Sequence, residues 1–349
     1  MPGGVALLNC FGCGGCAVAD VRGSFKGLWR CASQEVSLCC YALHYHTMTG
    51  LVVFGQAEMK RYLRLFMEAV KLGLRFHLLI EGPPGTAKTL AVNRMVASLR
   101  RKVGQVPYVR VTGSQDALPS DLIGDLDIGK YRKGEMDILE GPLFRAHGGS
   151  ENGNANAAMP GIVYADELNR FSEYTLIIFT EIMAEWQVSF PKTPITKPLR
   201  ANVIATMNPH DVSGITEVPQ HILDRFNARI VINYPDKETE LQIARQHANH
   251  YYKRYASRLE PLYSPLVSTT RAMRKLGVPL GPRIYLSTMD LLALELSSSG
   301  SMDIDREVVI GHYENAVRSR IGNLEEDRQS EFLSTASIAL RGELEEMKR

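Results

Sequence analysis

Cysteine is missing from the chain beyond Cys40, although six fall up to that point: Cys10, Cys13, Cys16, Cys31, Cys39 and Cys40. Thiolate chemistry is therefore confined to the first stretch of the chain. Long apolar runs are lacking too. None approaches the roughly 20 residues that a membrane-spanning helix requires, so no membrane partner is expected. No Lys or Arg precedes the short apolar patch at residues 5–8, which speaks against a secretory signal, and the cytoplasm is the expected compartment. Nor does charge of one sign dominate. Forty Lys and Arg against 38 Asp and Glu leave a net charge of +2, which gives no general case for nucleic acid or anionic lipid.

What is present is ordinary globular material carrying a few sharp motifs. At 349 residues, 45% hydrophobic and 22% charged, the chain has enough for about two domains with real cores. Residues 1–47 stand apart as a cysteine-rich extension. Their CxxCxxC pattern, with Cys31 and the Cys39-Cys40 pair, could supply thiolates to zinc or an iron–sulfur cluster. The plainer reading is a disordered extension, or upstream sequence translated from a misassigned start. Met48, just before the first periodic segment, favours that reading.

The apolar run Leu78-Leu79-Ile80 leads into Gly82-Pro83-Pro84-Gly85-Thr86-Ala87-Lys88-Thr89, and Leu90 then opens a helix-like segment. Strand, glycine turn, Lys-Thr and helix is the layout of a nucleotide phosphate cradle. Backbone N–H groups of the turn and helix N-terminus point at the β- and γ-phosphates. Lys88 would add a cation on the same oxygens, and the Thr89 hydroxyl would ligate Mg²⁺. The strict pattern has Gly before the lysine, whereas this chain has Ala87, whose methyl is tolerable if the residue sits at φ < 0.

Some eighty residues later, Gly161-Ile162-Val163-Tyr164-Ala165 reads as a buried strand with Asp166-Glu167 at its carboxyl end. Ligands of an α/β sheet bind at the carboxyl ends of the strands, so both acids would face the phosphates. Asp166 can hold the Mg²⁺ hydration shell, while Glu167 can polarise a water for attack on the γ-phosphorus. The pattern elsewhere predicts a helix over residues 56–72, strands at 75–81, 107–112, 201–206 and 228–233, and hairpins at 125–139 and 187–199. Residues 148–160 are Gly/Asn-rich and aperiodic, hence a surface loop. From Pro235-Asp236 onward the pattern is purely helical, which sets the expected domains at 48–235 and 236–349.

These motifs fall in an order that resembles an AAA+ ATPase, specifically the MoxR-like group. The cradle, the acid pair and Asn208 after the next strand look like Walker A, Walker B and sensor 1. Leu223-Asp224-Arg225-Phe226 resembles the arginine-finger segment, and Gly281-Pro282-Arg283 resembles sensor 2. The stretch from Leu118 to Gly124 with its hairpin, then Gly141-Pro142-Leu143-Phe144, is similar to the helix-2 insertion of that group, as is Ala-Asp-Glu-Leu-Asn-Arg at 165–170. The resemblance covers about residues 50–325. The 148–160 loop and the cysteine-rich leader depart from it. It implies an α/β parallel-sheet core with helices on both faces, followed by a small all-helical lid, with ATP and Mg²⁺ as ligands.

It also implies roles. Asn208 would orient the attacking water, Arg225 would reach the nucleotide of a neighbouring subunit, and Arg283 would contact the γ-phosphate in cis. Plain alternatives stand beside these: a turn for Asn208, a surface pair with Asp224 for Arg225, and an ordinary first-turn arginine for Arg283. An arginine acting in trans requires a homo-oligomer, for which the family implies a hexameric ring. The hairpins near Lys130 and Lys192-Thr193 are then either pore or partner contacts or simple surface loops. The expected activity is ATP hydrolysis that remodels or assembles a protein client, by analogy one with a von Willebrand factor A domain. A DNA-directed helicase or translocase is the alternative, although no DNA-binding module is evident after the lid. A nucleotide-gated scaffold without turnover is a third reading, against which Glu167 and Arg225 both speak.

Overall fold

Leu78, Leu79 and Ile80 alternate with nothing polar, and in the computed structural model they lie in a central strand with no exposed face. Such unbroken apolar strands belong to parallel sheets covered on both sides. The structure describes residues 53–148, 159–191, 193–209, 216–299, 304–322 and 324–347. The cysteine-rich leader and most of the Gly/Asn-rich tract, residues 149–158, lie outside them, as does Lys192.

In chain order the elements are helix α1 (Ala57–Lys71), strand β1 (Leu78–Glu81), α2 (Lys88–Val103) and β2 (Tyr108–Thr112), then an insertion of α3 (Pro119–Ile123), β3 (Gly124–Leu126), α4 (Ile128–Tyr131) and β4 (Ile138–Glu140). After it come β5 (Gly161–Asp166), α5 (Glu173–Glu185), β6 (Gln187–Ser189), β7 (Thr196–Pro198), β8 (Ala201–Met207), α6 (Gln220–Leu223) and β9 (Ala228–Val231). The rest is helical: α7 (Lys237–Tyr251), α8 (Ala256–Lys275), α9 (Arg283–Ser299), α10 (Arg306–Ile321) and α11 (Glu326–Glu346).

The main sheet has the order β2-β5-β8-β1-β9, with every pairing parallel. Because β1 sits between β8 and β9 while β2 lies at the far edge, the chain reverses its travel across the sheet at β1. A crevice opens at the carboxyl ends of the strands at such a switch point. Side chains alternate across the sheet as the period of two demands. Leu79, Val163, Ala165, Val203 and Ala205 pack with Leu176, Phe179 and Ile182 of α5. Leu78, Ile80, Ile162, Tyr164 and Ile204 face the other way, onto Met59, Leu63 and Phe66 of α1 and Val92, Met95 and Leu99 of α2.

Helix α2 begins at Lys88, ahead of Leu90, and the first hairpin is interrupted by the short helix α4. Asp127 makes that helix by capping it, its Oδ1 accepting from the Gly129 and Lys130 amides at 2.9 and 3.1 Å. The hairpins form as β3–β4 and β6–β7, both antiparallel.

The helices from α7 onward bury their own core, in which Leu266, Tyr285, Leu292, Tyr313 and Val317 take part. Between α7 and α8 lies the fully buried Glu240, held by Arg271 at 2.8 Å and Arg274 at 2.5 Å. Two arginines of α8 are thus committed to one buried carboxylate of α7. No helix among the described residues is long and apolar enough to cross a membrane.

His77, just before β1, is buried among backbone groups. Its Nδ1 accepts from the Val203 amide at 3.0 Å, which leaves Nε2–H to donate to the Met183 carbonyl at 3.1 Å. Burial holds its pKa down at about 4, against an ordinary value of 6.5. The unfolded chain therefore binds the proton first, and stability present above pH 6.5 is lost as pH falls towards 4. The full effect is about 3 kcal/mol, from the 1.36 kcal/mol carried by each pH unit. Denaturant unfolding across that window should show the loss, and His77→Gln should flatten it. An equal slope in the variant would assign the acid sensitivity elsewhere.

Candidate functional site

The turn between β1 and α2 is held open from behind. A Cβ at Gly82 would stand 2.5 Å from the Ile232 carbonyl oxygen, so only glycine lets the two backbones pass. Thr86 donates its hydroxyl to the Pro83 carbonyl at 2.8 Å, and Gly85 takes a left-handed φ of 81°. Ala87 departs from expectation: its φ is +66°, not negative. A left-handed alanine costs roughly 1–2 kcal/mol, and strain of this kind concentrates at ligand clamps. The conformation serves a purpose, because residue 87 is the N-cap of α2 and carries no side-chain cap. The first amides of α2 are thus left for a ligand.

Lys88 folds back on this turn, its Nζ donating to the Gly82 and Pro83 carbonyls at 2.5 and 2.9 Å. Burial lowers its pKa to about 8; the charges of Asp166 and Glu167 oppose that shift, and Arg283 adds to it. Asp166, 6% exposed, ends β5 and is met by several donors. Thr206 and Tyr164 donate to Oδ1 at 2.6 and 2.7 Å, and Arg110 to Oδ2 at 2.6 Å. Burial works against the carboxylate charge, but these hydrogen bonds outweigh it and hold the pKa below the usual range. The Thr89 hydroxyl lies 3.3–3.4 Å from both Asp166 oxygens.

Glu167 adopts a left-handed φ of 58°, which turns its half-exposed carboxylate out of the strand to pair with Arg170 at 2.8 Å. The kink presses its carbonyl against Gly113, where a Cβ would come within 2.1 Å. Asn208 follows β8, its backbone carbonyl accepting from Asn169 Nδ2 at 3.0 Å.

A cavity of about 630 Å³ gathers these groups at the carboxyl end of the sheet. Pro84 to Leu90, Asp166, Glu167, Asn208 and Arg283 all line it, so the structure brings most of the expected residues together. Gly82 and Pro83 support the loop without lining the cavity, and Arg225 is exposed and outside it. Asp224 accepts from Gln220 at 2.6 Å, and Arg225 makes no ion pair among the described residues. Sequence reasoning missed Arg110, Thr112, Thr206 and Arg320, which also line the cavity. The strand period of two places Arg110, Thr112 and the Asp166 face together once β2 is paired with β5, and no local motif signals it.

Beside it, a second and more apolar cavity of about 200 Å³ shares Gly85 to Ala87 and Arg283, and is walled by Val53, Phe54, Ile243, Tyr251 and Leu286. His247 lines it too, tied to Asp290 at 2.6 Å. The loop before α9 abuts the phosphate turn: a Cβ at Gly281 would lie 2.6 Å from the Pro84 carbonyl oxygen. That loop is anchored by Tyr234, whose hydroxyl donates to the Pro279 carbonyl at 3.2 Å, and by Arg274, which donates to that of Leu280.

A parallel sheet with this strand order, a glycine turn feeding a helix and an acidic strand end define the class. Residues 77–228 match the model of the ATPase family associated with various cellular activities (AAA). The curated relatives that the chain resembles include MoxR proteins. It is 32% identical to Chaperone MoxR1 of Mycobacterium tuberculosis over 196 residues, covering 55% of this chain and 44% of that protein. It is 30% identical to Protein MoxR of Paracoccus denitrificans over 184 residues, covering 53% and 48%. The chain thus matches about half the length of these curated relatives. A crystal structure of a putative ATPase from Cytophaga hutchinsonii aligns over 88% of this chain and 98% of that one, at 24% identity and a TM-score of 0.40.

Proposed function

We propose that this protein binds ATP with Mg²⁺ in the larger cavity, hydrolyses it, and uses the cycle to remodel or assemble a protein client. The observation that carries the reading is the convergence of Lys88, Thr89, Asp166, Glu167 and Asn208 on one cavity below the open amides of α2. The smaller apolar cavity, continuous with the phosphate turn, suits a flat nucleobase.

A hydroxyl and a carboxylate within reach of each other are hard oxygen donors, which fits Mg²⁺ at Thr89 and Asp166. Bound there, the ion would neutralise charge on the phosphate oxygens. Lys88 leaves its loop carbonyls to meet the same oxygens. Glu167 accepts the proton of the attacking water once it exchanges Arg170 for that water, and Asn208 orients the water. Arg283, at the start of α9, touches the γ-phosphate from the helical part, residues 236–349, which serves as a lid. Arg225, exposed and outside its own cavity, completes the site of a neighbour in a ring, expected to be hexameric.

The similarity to a protein named as a chaperone supports a protein client, and a von Willebrand factor A-domain protein is the partner we favour. The β3–β4 and β6–β7 hairpins are then surfaces for contact with it. The test is direct. Lys88→Ala should abolish detectable ATP turnover and weaken ATP binding at least tenfold, read by equilibrium binding on folded protein. Undiminished binding in that variant would place the nucleotide elsewhere.

A further inference from the structure

Arg110 is a charged side chain fixed at the heart of the site with no part in the scheme above. It projects from β2, an edge strand whose residues 109 and 111 are buried while 110 and 112 are not. Its guanidinium donates to Asp166 Oδ2 at 2.6 Å and lies 5.7 Å from the centre of the Tyr164 ring. A carboxylate offers about four acceptor positions on its two oxygens. Thr206 and Tyr164 occupy both on Oδ1, and Arg110 takes one on Oδ2. The Thr89 hydroxyl sits 3.3 Å from the same Oδ2. The carboxylate that should hold the shell of a divalent ion is therefore already neutralised and nearly saturated.

We propose that Arg110 is the resident counter-cation of Asp166, which Mg²⁺ has to displace, so that this side chain sets the metal concentration at which the nucleotide complex forms. The proposal rests on the nucleotide reading above. A buried carboxylate without a cation is costly, and Arg110 meets that need when no metal is bound. Its own side chain is 42% exposed against 8% for that of Asp166, so it can swing towards solvent while the acid stays in place. Two cations on one carboxylate repel, and the metal affinity is lowered for as long as the guanidinium is near.

The experiment uses the full-length protein and ADP carrying a fluorescent N-methylanthraniloyl group on its ribose, titrated first in EDTA and then with MgCl₂. In Arg110→Gln the half-saturating Mg²⁺ should fall about tenfold, the expected order for removing one charge at this range. Arg110→Lys should shift it the same way by less, since a shorter ammonium cannot make the same contact. An unchanged or raised Mg²⁺ midpoint in both variants overturns the proposal. A purely structural arginine would instead weaken ADP binding equally with and without metal and lower the unfolding temperature, leaving the midpoint in place. If the parent protein binds the labelled ADP under neither condition, it is the nucleotide reading that fails.

Discussion

Arg225→Ala should lower ATP turnover by roughly 10³- to 10⁵-fold while leaving nucleotide binding intact, the range for an arginine that neutralises charge developing in phosphoryl transfer. At 1.36 kcal/mol per decade this is about 4–7 kcal/mol of barrier. The position supports action on a neighbour. Arg225 follows α6 in a tight turn, its amide donating to the Ile222 carbonyl at 3.1 Å, and buried Phe226 anchors the turn behind it. The guanidinium is outside the cavity of its own chain. Mixing Arg225→Ala with Lys88→Ala supplies the sharper measurement. Each is inactive alone, but a mixed ring juxtaposes an intact phosphate cradle with an intact Arg225, so part of the turnover should return. If mixing restores nothing, or dilute monomer hydrolyses ATP at the full rate, the arginine does not act between subunits.

Glu167→Gln should reduce turnover by about 10²- to 10⁴-fold, the usual contribution of a positioned general base, and should trap ATP rather than release it. The amide keeps the size of the side chain but cannot take a proton at neutral pH. The left-handed backbone at residue 167 and its contact with Gly113 are made by main-chain atoms that the substitution leaves in place, so a loss of rate should report the carboxylate rather than a misplaced loop. Rates equal to the parent would remove Glu167 from the chemistry. Arg170 would then be its structural partner only.

How far the sequence could be read depended on how local each feature was. The three central strands were visible because they are buried on both faces and therefore read as mainly apolar runs. The phosphate turn was visible because glycine, lysine and threonine at fixed spacing have few other uses. The acid pair was placed correctly because the end of a buried strand is a fixed position in an α/β sheet. The left-handed backbone of Ala87 differs from the reading at φ < 0, and the only signal for it is the glycine that the strict pattern has at that position. Arg110 and Thr206 stayed hidden because their meeting with Asp166 depends on the pairing of β2, β5 and β8, which are far apart in sequence. Arg320 came from a helix more than two hundred residues beyond the glycine turn.

The contact between Gly281 and Pro84 carries a mechanical consequence. There is no slack at that joint, for even a methyl group would collide with the carbonyl. Arg274 clamps the joint on one side, and Glu240 in turn holds Arg274. Displacement of the glycine turn is thus passed directly to the start of α9 and the bundle behind it, without a long intervening loop to absorb it.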